Sequence, residues 1–323
     1  MNPPFLKAQS IMLISALLLS SCAASKYSPM KTRESISMAP KNQENVANFV
    51  GVLKKQGAPT LASRGRDGRG PATGLATSLI GLGTSALKQM IDKQKKKYTA
   101  EWKDGLNDLY FYDQLSTQGP FDPVGLQFNG FRLERKIVNQ GSGPELAMLL
   151  DVELATDTAN IYEMFNNAVF KLKLKDIQIN YAKAKIPQGK STLNVDIEVT
   201  FNTSYVNNSG NLFKNVELGK FFLRLRDAPL DKSSPGYKEY YAKKIGKQLE
   251  GWSFLVPRSY GYRLNESGQM EESYSQGAYS IAVKVTESSK SDFVTQMIID
   301  NSNSMIDSGA DQAKKTAKQL LDK

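Results

Sequence analysis

Two stretches of this 323-residue chain each carry a pair of carboxylates two residues apart, Asp151 with Glu153 and Asp196 with Glu198. On an extended strand such neighbours share a face and lie roughly 6.5 to 7 Å apart. That is close to the carboxyl separation of about 6.5–9.5 Å required for inverting glycoside hydrolysis. A catalytic pair must flank the sugar from opposite sides, however, whereas these side chains stand parallel on one surface. Alternation also places acids at such positions on any solvated strand face. Binding calcium there would need further oxygens from loops. Ser85 and Lys88 match Ser-x-x-Lys, but the companion Ser-Asp-Asn and Lys-Thr-Gly elements of penicillin-recognising enzymes are missing, and Ser85 falls inside a helical stripe. The sequence contains no Gly-x-x-x-x-Gly-Lys-Ser/Thr, Gly-x-Gly-x-x-Gly, Gly-x-Ser-x-Gly or EF-hand loop.

Composition narrows the chemistry further. The chain has no histidine and a single cysteine, Cys22. It therefore lacks the commonest general base and every Ser-His or Cys-His arrangement. Zinc and redox-metal sites lose both preferred ligand types, and there are no cysteines for disulfides. These exclusions point to a non-enzymatic protein without cofactor or metal.

Aromatic and basic side chains offer binding instead. Tyr237, Tyr240 and Tyr241 cluster within one helical turn or so, and Trp252, Phe254, Tyr260, Tyr262, Tyr274 and Tyr279 crowd the strands that follow. Exposed tyrosine and tryptophan planes suit sugar rings or a protein hot spot, although half-buried strand positions collect aromatics anyway. The candidate aromatic surface is Tyr237, Tyr240, Tyr241, Trp252, Tyr260 and Tyr262. Lys171, Lys173 and Lys175 make a basic strand face of the kind that protects an edge.

The elements that must position these groups change character along the chain. Residues 22–73 are rich in Ser, Pro, Gly, Asn and Lys and read as a flexible basic tether, ending in the Arg/Gly run at 64–70. As a coil, about 50 residues span roughly 40 Å. Val46, Phe49, Val50 and Leu53 form a short apolar island within it. Segment 74–107 is expected as an amphipathic helix, firm from Leu75 to about Lys103, with Leu75, Leu79, Leu82, Ala86 and Met90 on one stripe.

From Asp108 the period becomes two. Leu146 to Leu154, Phe170 to Leu174, Ile177 to Tyr181, Leu193 to Phe201, Glu217 to Arg226, Trp252 to Leu264 and Tyr279 to Thr286 read as strands, with phase slips at Gly130 and between Leu174 and Ile177. One apolar face per strand implies antiparallel sheets. The expected fold is mainly β with some α: an antiparallel β-sandwich or open barrel over 108–290. An N-terminal amphipathic helix precedes it, one helix is inserted at 235–249, and a C-terminal helix covers 291–323.

Cys22 carries a resemblance. Lys7 is the sole side-chain charge ahead of an apolar run, Ile11 to Leu19, that is too short to span a bilayer and ends in small residues. Leu19-Ser20-Ser21-Cys22 resembles the lipobox of bacterial lipoprotein precursors. The resemblance implies a signal peptide over 1–21, acyl chains such as palmitate on Cys22, and a membrane-anchored envelope protein. Ala23, rather than aspartate, after the cysteine implies outer-membrane sorting in a diderm host.

The net charge of +10 divides unevenly. Up to Lys97 there are 15 basic and 4 acidic side chains, a balance of +11, which leaves −1 for the remainder. The basic lead-in, with Arg64, Arg66, Arg69, Lys93, Lys95, Lys96 and Lys97, suits an anionic membrane surface better than nucleic acid. The expected role is an envelope adaptor or structural component that binds another envelope protein through its β domain. The competing expectation is a glycan-binding or glycan-hydrolysing lipoprotein.

Overall fold

The computed structural model describes residues 26–29, 33–43, 46, 98–113, 119–138 and 143–289. The strands are β1 (Arg33–Asn42), β2 (Thr99–Asp108), β3 (Phe128–Val138), β4 (Pro144–Leu154), β5 (Val169–Phe170), β6 (Leu172–Ile179), β7 (Thr192–Val206), β8 (Leu212–Pro229), β9 (Glu250–Phe254), β10 (Tyr260–Leu264), β11 (Met270–Tyr274) and β12 (Tyr279–Ser288). Two helices accompany them, α1 (Thr158–Asn167) and α2 (Pro235–Ala242). All named strand pairs are antiparallel. They form a four-stranded sheet, β1-β3-β4-β6, a six-stranded sheet, β2-β12-β7-β8-β9-β5, and a separate β10-β11 ribbon.

The alternation seen in sequence is what builds the core. Val195, Ile197, Val199 and Phe201 on β7 are buried, as are Ile281, Val283 and Val285 on β12, and Leu133, Leu150, Val152, Leu174 and Ile177 come from the four-stranded sheet. Aromatic rings lock the two buried faces together. Phe128 on β3 meets Phe201 and Tyr279 edge-on at 5.7 and 5.5 Å between centroids, and Phe170 meets Phe201 at 5.2 Å. Along one edge the sheets are continuous, because β5 and β6 are nearly one strand. Phe170 pairs with Ser253, and beyond it the Leu249 amide donates to Leu172 O at 2.9 Å. Along the other edge β1 and β2 approach through side chains, with Asn42 Nδ2 donating to Asp108 Oδ2 at 3.3 Å.

Gly130 makes the expected slip. Its φ is +115°, and a Cβ there would lie 2.1 Å from Val152 O. The second slip is a register shift between Asp151 and Val152, opposite Asp176 and Leu174.

Four expectations need correction. Within the tether 22–73, residues 33–42 form β1, an edge strand whose Ile36 and Met38 are its half-buried contribution; Tyr27 is already buried in the core, and its carbonyl accepts from the Ala182 amide at 2.7 Å. A polar, proline-bearing edge strand has a tether's composition, and only its period of two betrays it. Within 74–107, residues 99–107 lie on β2, not on a helix. Trp102 and Leu106 are buried at a spacing of four, which fits a helix and a strand equally. The inserted helix stops at Ala242 instead of 249; Gly246 takes φ +80°, and 246–249 pair with β6. Trp252 to Leu264 is two strands broken around Pro257. Helix α1, missed in the sequence, is capped by Asp157, which accepts from the Asn160 amide at 3.2 Å. The helix from Leu75 and the C-terminal helix 291–323 lie outside the described residues.

Candidate functional site

The sequence-derived site residues separate into three groups. Cys22, Arg64, Arg66, Arg69, Lys93, Lys95, Lys96 and Lys97 lie outside the described residues, as do Ser85 and Lys88.

The tyrosines of α2 are packed inward rather than displayed. The Tyr237 hydroxyl donates to Asn180 Oδ1 at 2.8 Å, that of Tyr241 to Pro229 O at 2.9 Å and that of Tyr240 to Arg226 O at 2.8 Å. Tyr237 and Tyr241 are buried and Tyr240 half-buried. Burial raises Tyr237 to about 12 and lifts Tyr240 and Tyr241 as well. These three side chains staple α2 and the end of β8 to the body and present no aromatic plane to a ligand. Helical spacing alone could not separate a packed face from a displayed one.

Trp252, Tyr260 and Tyr262 do face outward in part. Trp252 sits on the outer face of β9 opposite Lys220, edge-on to exposed Phe254 at 5.0 Å. Tyr260 and Tyr262 lie on the β10-β11 ribbon, where register brings Tyr260 opposite Tyr274, Tyr262 opposite Glu272, and Leu264 opposite Met270. These six residues share one ribbon face. Tyr262, Leu264 and Met270 are 63%, 67% and 66% exposed, the most exposed large apolar side chains among the described residues. Tyr260 packs on Tyr262 and Tyr274 at 6.0 and 5.6 Å, and a hydrogen bond to Glu272 raises its hydroxyl pKa. Among the described residues no cation pairs with Glu272.

The paired carboxylates are engaged elsewhere. Asp151 meets Lys41 Nζ at 2.6 Å, and Glu153 meets Lys173 and Lys175 at 3.0 and 3.4 Å. Asp196 meets Arg226 at 2.8 Å and Glu198 meets Lys220 at 3.0 Å. Partial burial raises the Glu153 pKa, but its two lysines outweigh that and hold it below its ordinary value. The two pairs belong to different sheets, β4 and β7, and each of the four carboxylates is ion-paired, Asp151 with Lys41 even though Asp176 lies across from it in the β4–β6 register. Lys173 and Lys175 are thereby accounted for as partners of Glu153.

Sequence reading missed two buried arginines. Arg135 and Glu287 have side chains 1% exposed and an N–O distance of 3.0 Å, linking β3 in one sheet to β12 in the other. Glu287 also accepts from Trp102 Nε1 at 3.0 Å and from the Lys183 and Ala184 amides. Arg135 follows Leu133, and Glu287 follows Val285, in the inward phase of their strands; a charge at that phase was the available signal. Arg258, fully buried, donates to Ser275 O at 3.2 Å, reaches Asp122 at 3.3 Å and lies 4.6 Å from the Tyr112 ring centroid. It fastens the base of the ribbon to the 119–125 loop.

No group of three or more potential metal ligands occurs among the described residues, and no helix there is long and apolar enough to cross a membrane. The chain matches no family model, no curated protein and no solved structure.

Proposed function

We propose that this chain is a lipid-anchored, non-enzymatic bacterial envelope protein, held in the outer membrane through Cys22. Its β domain, read as a two-sheet sandwich joined along one edge, serves as an adaptor for another envelope protein. The observation that carries the reading is the Leu19-Ser20-Ser21-Cys22 box lying five residues before Tyr27, which is docked in the core. Five residues of chain reach at most about 18 Å. A lipid on Cys22 therefore holds the domain against the bilayer rather than on a long leash.

The ribbon is the surface offered to the partner. It stands at the opposite end of β7 from Tyr27: the Val206 amide donates to Ser259 Oγ at 3.0 Å, while Thr192, at the start of β7, pairs with Pro229 beside the Tyr27 end. Fourteen residue steps of strand place the two ends roughly 46 Å apart. Tyr262, Leu264 and Met270 thus project away from the membrane, as an aromatic anchor patch should. The ion-paired carboxylates favour this reading over glycan hydrolysis.

The test labels cells with radioactive palmitate and places a photo-crosslinking residue at position 264. Label in the wild-type chain and none in Cys22→Ser, together with a protein adduct at 264 that Tyr262→Ala abolishes, supports the reading. Palmitate label that persists after Cys22→Ser, or a crosslink only to polysaccharide, overturns it.

A further inference from the structure

The loops gathered at the Tyr27 end are basic. Residues 26–29, 180–191 and 230–234 hold Lys26, Lys183, Lys185, Lys190 and Lys232 against Asp231, five minus one, or +4. These segments are brought together by backbone hydrogen bonds: Ala182 N to Tyr27 O at 2.7 Å and Leu230 N to Ser191 O at 2.8 Å. Lys26 lies 3.7 Å from Asp231, and Lys183 lies 3.2 Å from Glu34 at the start of β1. Lys26, Lys183, Lys185 and Lys232 are exposed.

The far end has the opposite sign. Residues 109–113, 119–127, 207–211 and 255–278 hold Arg258 and Arg263 against Asp113, Asp122, Glu266, Glu271 and Glu272, two minus five, or −3. The domain is therefore electrically polarised along β7 and β8, with its positive end where the chain arrives from Cys22.

We propose that this lysine-bearing end is a contact surface for anionic lipid headgroups, which seats the domain upright on the membrane independently of any acyl chain. The inference borrows its membrane from the anchored reading but stands on the placement of the lysines. Near an anionic surface each lysine strengthens binding about fivefold, and salt screens the attraction within roughly 10 Å at 0.1 M. An acidic far end is repelled by the same surface, so the polarity orients as well as attracts.

The experiment uses the chain from Ala23 to Lys323, which retains every described residue and lacks the apolar leader. Its partition onto vesicles of phosphatidylcholine with 30% phosphatidylglycerol is compared with pure phosphatidylcholine. Two variants remove the same charge: Lys183→Gln/Lys185→Gln/Lys232→Gln at the basic end, and Lys103→Gln/Lys214→Gln/Lys247→Gln elsewhere. The expected result is binding only to the anionic vesicles, lost about a hundredfold in the first variant and changed much less in the second. Equal losses in the two variants, equal binding to both vesicle types, or no binding at all overturns the proposal. Palmitate labelling is read separately, so failure of lipidation and failure of this surface give different results.

Discussion

Replacing Glu287 by alanine tests how the two sheets are held together. The carboxylate is the shared acceptor for the Arg135 guanidinium, the Trp102 indole and the Lys183 and Ala184 amides, joining β2, β3, β12 and the segment after β6. Removing one partner of a buried ion pair costs about 3–5 kcal/mol, because the other charge remains out of water. The deserted N–H groups add to this wherever water does not reach them. A loss of about 4 kcal/mol lowers Tm by roughly 8–16 °C in a domain of this size.

The double variant Arg135→Met/Glu287→Leu separates charge from hydrogen bonding. It removes both ions, so a simple salt bridge would be replaced at little cost. Here the indole and two amides still lack their acceptor, and the double variant should recover only about half of the loss, at 1–3 kcal/mol per deserted group. Urea unfolding followed by circular dichroism and by tryptophan fluorescence measures both, and coincident transitions validate the two-state treatment. A cost below about 1 kcal/mol for Glu287→Ala would refute the node, and full recovery in the double variant would show that the carboxylate does not organise the amides.

Gly130→Ala should abolish or severely weaken folding, since φ of +115° alone costs about 1–3 kcal/mol and the new Cβ would lie 2.1 Å from Val152 O; soluble yield and Tm check it. Tyr241→Phe removes the donor to Pro229 O and should cost about 1 kcal/mol in urea unfolding, with α2 loosening first in hydrogen exchange. Acid should destabilise the domain in a defined window. Hydrogen bonds from Lys284 and Lys136 hold Glu101 and Glu134 below 4.5, so the unfolded chain takes up protons first. Their contribution is present above pH 4.5 and is lost as pH falls through the folded values. With no histidine in the chain, Tm should stay level between about pH 5 and 8. At the alkaline end, burial keeps Tyr237 protonated to about 12 while the unfolded phenol ionises near 10, so stability falls from pH 10 upward. A Tm that drops between pH 6 and 7 would contradict this.

The central strands were legible because their inner faces repeat without interruption: Leu193 to Phe201 on β7 and Tyr279 to Val285 on β12 name their own pleat. Edge strands were not. β1 buries no side chain completely, so its alternation of Ile36 and Met38 was lost among Ser, Pro and Lys. β2 was misread because a four-residue spacing satisfies both periods. At the candidate site, sequence named Trp252, Tyr260 and Tyr262 together with Tyr237, Tyr240 and Tyr241. Only pairing register and tyrosine hydrogen bonds tell the two trios apart, and those are properties of the folded chain. The buried Arg135–Glu287 pair lay in plain view as charges in an apolar phase, a signal that solvated-face reasoning passes over.

If the chain is the anchored adaptor proposed above, the place where the anchor meets the domain determines what it can do. If about 50 residues intervened, the ribbon could sample any direction within roughly 40 Å. With Tyr27 docked, the leash from Cys22 is at most about 18 Å, well below the roughly 46 Å length of β7. A body longer than its leash can tip onto its side, but it cannot invert to place its far end beneath its near one. Against tipping, the proposed contact of Lys183, Lys185 and Lys232 with anionic headgroups would hold the near end down, and Glu266, Glu271 and Glu272 would be repelled from the same surface. On the proposed anchoring, the short connection and the charge polarity would together favour the upright orientation, with the exposed Tyr262, Leu264 and Met270 away from the bilayer. On the proposed reading a partner confined to the bilayer surface would be out of their reach, and an envelope component that engaged them would have to extend several tens of ångströms from the membrane.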